Sequence, residues 1–185
     1  MQIKNRCSRC NNEKIYQEYH DNEWGQPVHD DRIFFEFLIL EWAQAGLSWV
    51  TVLKKRENYK KAFDSFDVKK IVKYDDKKTK ELLNNEWIIR NKLKINSVIK
   101  NAKIFIEIQK EFGSFDKYIW WFVDNKVIKN NFKNMYELPT STPLSDKISQ
   151  DLKKRWMSFV GSTIIYAYLQ AIGIVNDHIQ DCDLF

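Results

Sequence analysis

Ile33-Phe34-Phe35-Glu36-Phe37-Leu38-Ile39-Leu40 is an apolar run with one acid, no glycine and no proline, and it leads into Glu41-Trp42-Ala43-Gln44-Ala45-Gly46-Leu47-Ser48-Trp49. The run predicts a buried helix from Asp31 to Ala45, N-capped by Asp30 or Asp31 and broken by Gly46. Glu41 closes the apolar stretch among Trp42, Trp49 and a glycine turn. A buried carboxylate without a partner is costly, so a glutamate held there has a task. Two placements are open at this point. Glu41 sits inside a cleft, or it points outward at the helix end, where most acids lie.

The elements on either side follow the same helical logic. Ile15 to Trp24 forms an element that the Gly25-Gln26-Pro27 turn ends. Ser48 caps a helix over 49–63, Asp67 caps a short one to Tyr74, and Asp75-Asp76 opens another through Leu83. Asn84-Asn85-Glu86-Trp87 reads as a turn. The apolar positions between Ile88 and Phe112 repeat with helical spacing, starting near Arg90 or Asn91 and ending at Gly113. Ser114 caps an aromatic helix with Trp120-Trp121, expected in the core. Residues 123–142 read as a surface loop. Ser145 is the expected cap of a helix over 146–156, and a last helix spans 162–172. The expected class is all-α, as one domain over residues 1–185.

Composition narrows the function classes. Glycine and proline are scarce, at five and three, which disfavours a turn-rich β fold. Seven Trp, eight Tyr and twelve Phe serve a core and also surfaces that stack on flat rings. A net charge of +5 is compatible with nucleic acid but does not require it. Residues 1–12 are polar and basic, without the apolar stretch of a secretion signal. No apolar run reaches the length of a membrane span. A cytoplasmic protein with no membrane association is expected, and three cysteines in such a chain do not suggest disulfides.

Those cysteines stand near histidines at the two ends. His178 and Cys182 lie four apart, on one face of a helix or turn. Cys7, Cys10 and His20 stand at the start. Two Cys and two His would make a closed, structural zinc site joining the termini. From spacing alone, Cys7 and Cys10 could both bind with His178 and Cys182, leaving His20 out, or no metal binds. His29 reads as a loop residue.

Tyr19-His20-Asp21-Asn22-Glu23-Trp24-Gly25, Gln44-Ala45-Gly46-Leu47-Ser48-Trp49 and Asn176-Asp177-His178 with Cys182 resemble the bacterial 3-methyladenine DNA glycosylase I family. The stretches over 51–59 and 159–163 also fit, so the resemblance runs nearly end to end. It implies an all-α helix-hairpin-helix DNA glycosylase fold with a zinc site joining the N- and C-terminal segments. The implied ligands of one structural Zn2+ are Cys7, His20, His178 and Cys182, with Cys10 a bystander. Glu41 takes the position of the family's cleft glutamate. Tyr19 and Trp49 fall on its stacking aromatics, with Tyr16 and Trp24 nearby, and Gly46-Leu47 falls on its DNA-inserting turn. Three positions depart from the pattern. Arg9 stands where an aromatic is usual, and Trp87 and Trp156 stand where glycine is usual. Tryptophan tolerates a positive φ poorly.

The implied activity is monofunctional hydrolysis of the N-glycosidic bond of flipped 3-methyladenine in alkylated double-stranded DNA, releasing the free base in base excision repair. Glu41 would hold the adenine amino edge while Tyr19 and Trp49 stack on the ring. Leu47 would fill the gap left by the flipped nucleotide. Phosphate contacts are expected from Arg90 and Lys92 at the hairpin and from Lys54-Lys55-Arg56. No lysine is expected as a nucleophile, and a monomer is expected. Three other readings compete: a non-enzymatic zinc module for nucleic acid, a glycosylase with another lesion range, and a helical protein-interaction domain.

Overall fold

The computed structural model describes residues 5–10, 12–44 and 46–185. The first helix, α1, spans Lys14–Asn22, and the apolar run forms α2, Asp31–Ala43. Asp30, not Asp31, caps α2, its carboxylate accepting from the amides of Arg32 and Ile33. Asp31 does something else. Its carboxylate accepts from the amides of Phe115 and Asp116 and from Nε2 of Gln109, which ties the first turn of α2 to a distant helix start. The helix end expected at Ala45 lies outside the described residues.

Helix α3 spans Trp49–Ala62, capped by Ser48 onto Thr51. The short helix α4, Val68–Ile71, starts at Asp67, and α5, Asp76–Asn84, starts at Asp75. Residues 85–91 turn the chain into α6, Lys92–Phe112, which Asn91 caps and the left-handed Gly113 closes. Helix α7, Phe115–Trp121, is capped by Ser114. Each start from α2 to α7 is an Asp, Asn or Ser oxygen on an otherwise unpaired amide, the arrangement that makes helix starts readable in sequence.

Helix α2 is the central element, packed against α3, α6, α7 and the last helix, α9, Ser162–Ala171. Phe34, Phe35, Phe37, Ile39 and Leu40 are almost wholly buried, each worth about 1.5–3 kcal/mol of transfer free energy. A helix apolar nearly all round must be covered on all sides, and that is why the other helices collect on it.

Three expectations are corrected. Thr142, not Ser145, caps α8, which spans Pro143–Lys154. Ser145 is the reciprocal partner, its hydroxyl accepting from the Thr142 amide. Trp120 is buried and donates to the carbonyl of Val28, whereas Trp121 is exposed and lies under the ammonium of Lys147. The loop over 123–142 contains β1, Ile128–Lys129, paired in parallel with β2, Val175–Asn176, after the last helix α9, Ser162–Ala171. Two residues per strand are too few to carry a period-2 signal, so the all-α expectation missed this clasp.

The tail returns across the start of the chain. The amide of Val28 donates to Ile172 and that of Gly25 to Gln170. Gly173, at φ +69, touches this crossing so closely that a Cβ there would meet the Gln26 carbonyl carbon at 2.1 Å. Only glycine satisfies both constraints.

Candidate active site and metal cluster

Helix α1 presents consecutive side chains to two adjoining sites. Tyr19 faces a cavity, and His20 faces a cluster of thiols and imidazoles. The cavity encloses roughly 540 Å³ including its mouth, and its wall includes Tyr16, Tyr19, Trp24, Glu41 and Trp49. Five residues singled out in the sequence, from α1, α2, α3 and the turn after α1, thus meet around one space. Tyr19 and Trp49 rings lie 5.3 Å apart at 56°, and Tyr16 and Tyr19 lie 6.4 Å apart.

Glu41 is 7% exposed. Among the described residues no hydrogen bond or ion pair reaches its carboxyl group. Burial alone pushes its pKa up to about 8, which favours the protonated carboxylic acid at neutral pH. Burial also pushes the Tyr16 hydroxyl up to about 12. The indole Nε1 of Trp49 is buried without an acceptor. Among the described residues, the cavity wall thus carries an unpaired carboxyl group and an unpaired indole N–H, buried polar groups that a packed interior seldom leaves without a role.

Gly46 and Leu47 lie on the exposed turn between α2 and α3, on a shallower depression that shares Glu41 and Gln44 with the cavity. Leu47 is 42% exposed, which places it on the rim and not in the core. Gly46 has φ +82, a conformation that suits glycine. Arg90 and Lys92 are exposed at the start of α6, away from the cavity wall. The cluster Lys54-Lys55-Arg56 does not stand free as a phosphate site. Arg56 bonds both Glu23 and Glu36, Lys54 bonds Glu13, and Lys55 donates to the carbonyls of Glu86 and Trp87.

Sequence reasoning missed Gln170, Gln44 and Met135 in the wall, and it left Arg9 open; Arg9 lines the cavity, as does Cys10. Lys94 was also missed. It is buried, and its ammonium donates to the Ala43 carbonyl at the end of α2, where a cation complements the helix dipole. No local pattern marks these residues, because long-range packing brings them in. Of the two departures toward tryptophan, Trp87 keeps out of the positive-φ region, whereas Trp156 sits at φ +68 and is 76% exposed.

Behind the cavity, Cys7, His20, His178 and Cys182 are all buried, with their ligand atoms within 4.8 Å of one another. Cys182 Sγ lies 3.4 Å from His178 Nδ1 and 3.7 Å from His20 Nε2, and Cys7 Sγ lies 3.6 Å from His178 Nδ1. Tetrahedral bonds of about 2.3 Å to sulfur and 2.0–2.1 Å to nitrogen would set these atoms about 3.6 Å apart. The four residues therefore fit a tetrahedral ion.

Second partners hold both rings. His20 Nδ1 bonds Asp21, whose carboxylate Arg6 grips, and His178 Nε2 bonds the Trp24 carbonyl. Each leaves the other nitrogen for the cluster. Burial lowers the pKa of both imidazoles, favouring the neutral, ligating form. Cys10 lies outside this group, whereas Cys7 and His20 both lie within it. The ring of Trp24 stacks on His20 and meets His178 edge-on, so cluster and cavity share a wall.

A family model described as methyladenine glycosylase matches residues 9–185. The chain belongs to the methyladenine glycosylase family. A DNA-3-methyladenine glycosylase of Haemophilus influenzae is 43% identical over 177 residues, covering 96% of each chain. A crystal structure of 3-methyladenine DNA glycosylase I superposes with a TM-score of 0.93 at 44% identity, over 97% of this chain and 98% of that one. A second family structure, a single-residue variant in complex with 3-methyladenine, superposes with a TM-score of 0.93 at 30% identity, over 97% of each.

Proposed function

We propose that this methyladenine glycosylase excises 3-methyladenine from alkylated double-stranded DNA by hydrolysis, as a monofunctional base excision repair enzyme acting in the cytoplasm. One observation carries the reading of the site: Glu41 is a buried carboxyl group without a partner among the described residues, inside an aromatic-walled cavity on a scaffold of this family.

The roles follow from charge. N3-methylated adenine is cationic while joined to deoxyribose. It leaves as a neutral base, so its glycosidic bond is weak before any catalyst acts. Tyr19 and Trp49 supply the flat slot and Glu41 reads the amino edge. The neutral acid of the empty cavity ionises when a cationic base enters, because the charge beside it then favours the carboxylate. Water attacks C1′ of the sugar, the C1′–N9 bond breaks, and its electron pair discharges the base. The attacking water's proton goes to solvent. Lys94, a buried lysine, donates to the Ala43 carbonyl at the end of α2 and is absent from the cavity wall, which supports hydrolysis without a covalent amine intermediate.

Leu47 enters the duplex as the plug, and the turn over 85–91, with Arg90 and Lys92, holds phosphates as a helix-hairpin-helix element. The four-residue cluster is a structural zinc site: four protein ligands leave no position for water, so the ion supplies folding free energy, not chemistry. Cys7→Ser is expected to lose bound zinc and to lower thermal stability, whereas Cys10→Ser keeps both, as read by metal analysis and a melt on the same samples.

A second reading, a relative with another lesion range, rests on Arg9 in the cavity wall. Base release from methylated DNA, resolved by chromatography, tests both. Release of 3-methyladenine with little 7-methylguanine supports the proposal. Release of a different base favours the second reading, and no release from folded, zinc-loaded protein overturns the enzymatic one in favour of a nucleic-acid-binding module.

A further inference from the structure

Gln170, on α9, is buried and lines the same cavity as Glu41. Its amide cannot choose which atom faces that cavity. Nε2 donates to Oδ2 of Asp177 at 2.6 Å. The same carboxylate accepts from the Tyr166 hydroxyl and, at 2.7 Å, from Nδ2 of Asn130. An ionised carboxylate only accepts, so an amide bonded to it must present its nitrogen. Turning the amide over would set Oε1 against Asp177 and lose a charge-assisted bond. The carbonyl edge is the one left for the cavity, and among the described residues no donor reaches Oε1.

We infer that Gln170 is a second base-reading residue, whose Oε1 accepts a hydrogen bond from the exocyclic amino group of an adenine-type base. The inference rests on the reading of the cavity as a base pocket. An amino group carries two hydrogens, one for Glu41 and one for Gln170. A base with an oxo group at that position would set carbonyl against carbonyl. Glu41 discriminates only once a cationic base has ionised it, since its carboxyl group, protonated until then, donates as readily as it accepts. Gln170 has no such freedom, because Asp177 fixes its polarity. Rejection of oxo purines therefore falls to Gln170, positioned by Asp177, Asn130 and Tyr166.

Two free bases that differ only at this group test the inference: 3-methyladenine and its 6-oxo counterpart, 3-methylhypoxanthine, each titrated by quenching of tryptophan fluorescence. Wild-type protein is expected to bind the amino base about tenfold tighter or more. In Gln170→Met, which keeps the length and removes the acceptor, that ratio collapses toward one through weaker binding of the amino base. A ratio unchanged in Gln170→Met overturns the inference alone. Wild-type protein that binds neither base overturns the pocket reading and the inference with it. Should Gln170→Met not fold, side-chain amide resonances of 15N-labelled wild type decide. Nε2 protons of Gln170 that stay protected from exchange, without a nuclear Overhauser contact to bound 3-methyladenine, support the assignment. Such a contact overturns it.

Discussion

Asp177 and Glu41 are both buried carboxyl groups, 1% and 7% exposed, set in opposite surroundings. Asp177 accepts three donors, from Asn130, Tyr166 and Gln170. Among the described residues Glu41 has no partner, and burial favours its neutral acid form. The first is a structural acid: its desolvation cost is offset by bonds made on folding. The second leaves its cost unmet in the empty protein, which is how a scaffold stores an interaction for a ligand. A polar group that the fold leaves buried and unpaired is a better guide to function than one embedded in a network.

The contrast is sharpest in stability. Asp177→Ala strands the buried donors of Tyr166 and Gln170 and the half-buried amide of Asn130 and is expected to cost roughly 3–5 kcal/mol, read as a melting temperature lower by about 10 °C. Glu41→Gln is expected to do the reverse at alkaline pH. The folded pKa of Glu41 is raised from 4.5 to about 8, so between those values the unfolded state binds fewer protons than the native one. Wild-type stability should therefore fall as pH rises through that window, by on the order of a few kcal/mol, and level off above it. Glu41→Gln lacks this slope and should equal or exceed wild type at pH 8. A pH series of denaturant melts measures both. An equal slope in the two proteins would mean that Glu41 already has a partner.

Leu47 extends the comparison to an apolar group left exposed. Leu47→Ala should weaken binding of abasic-site DNA about tenfold while leaving free 3-methyladenine binding unchanged. Equal loss for both ligands would return Leu47 to a packing role. The smallest effect belongs to Trp156, an exposed side chain on a left-handed backbone. Trp156→Gly should stabilise the protein by about 1 kcal/mol; a loss of stability would show that its ring packs on something.

The helices were legible because their starts carry local chemistry: Asp30, Ser48, Asp67, Asp75, Asn91 and Ser114 each sit where a side-chain oxygen meets unpaired amides. Ser145 misled because a capping box places two hydroxyl residues three apart, and only the backbone conformation says which of them is the cap. The β1–β2 clasp was invisible, since two-residue strands leave no periodic trace. In the site, Glu41 stood out because an acid ends an apolar run, and the cysteines and histidines stood out by residue type. Gln170 gave no such signal: a glutamine on an apolar helix becomes informative only when Asp177 is seen to fix its amide. The partners of Lys54, Lys55 and Arg56 were hidden for the same reason, since those acidic and carbonyl groups come from distant segments.

The most direct test compares wild type and Glu41→Gln in single-turnover release of 3-methyladenine from methylated DNA, with melting temperatures taken at pH 8 on the same samples. Release by wild type, a rate at least about tenfold lower in the variant, and a melting temperature equal or higher in the variant would support Glu41 as the carboxyl group kept for the base. Equal release rates, or a variant that loses stability together with activity, would contradict it.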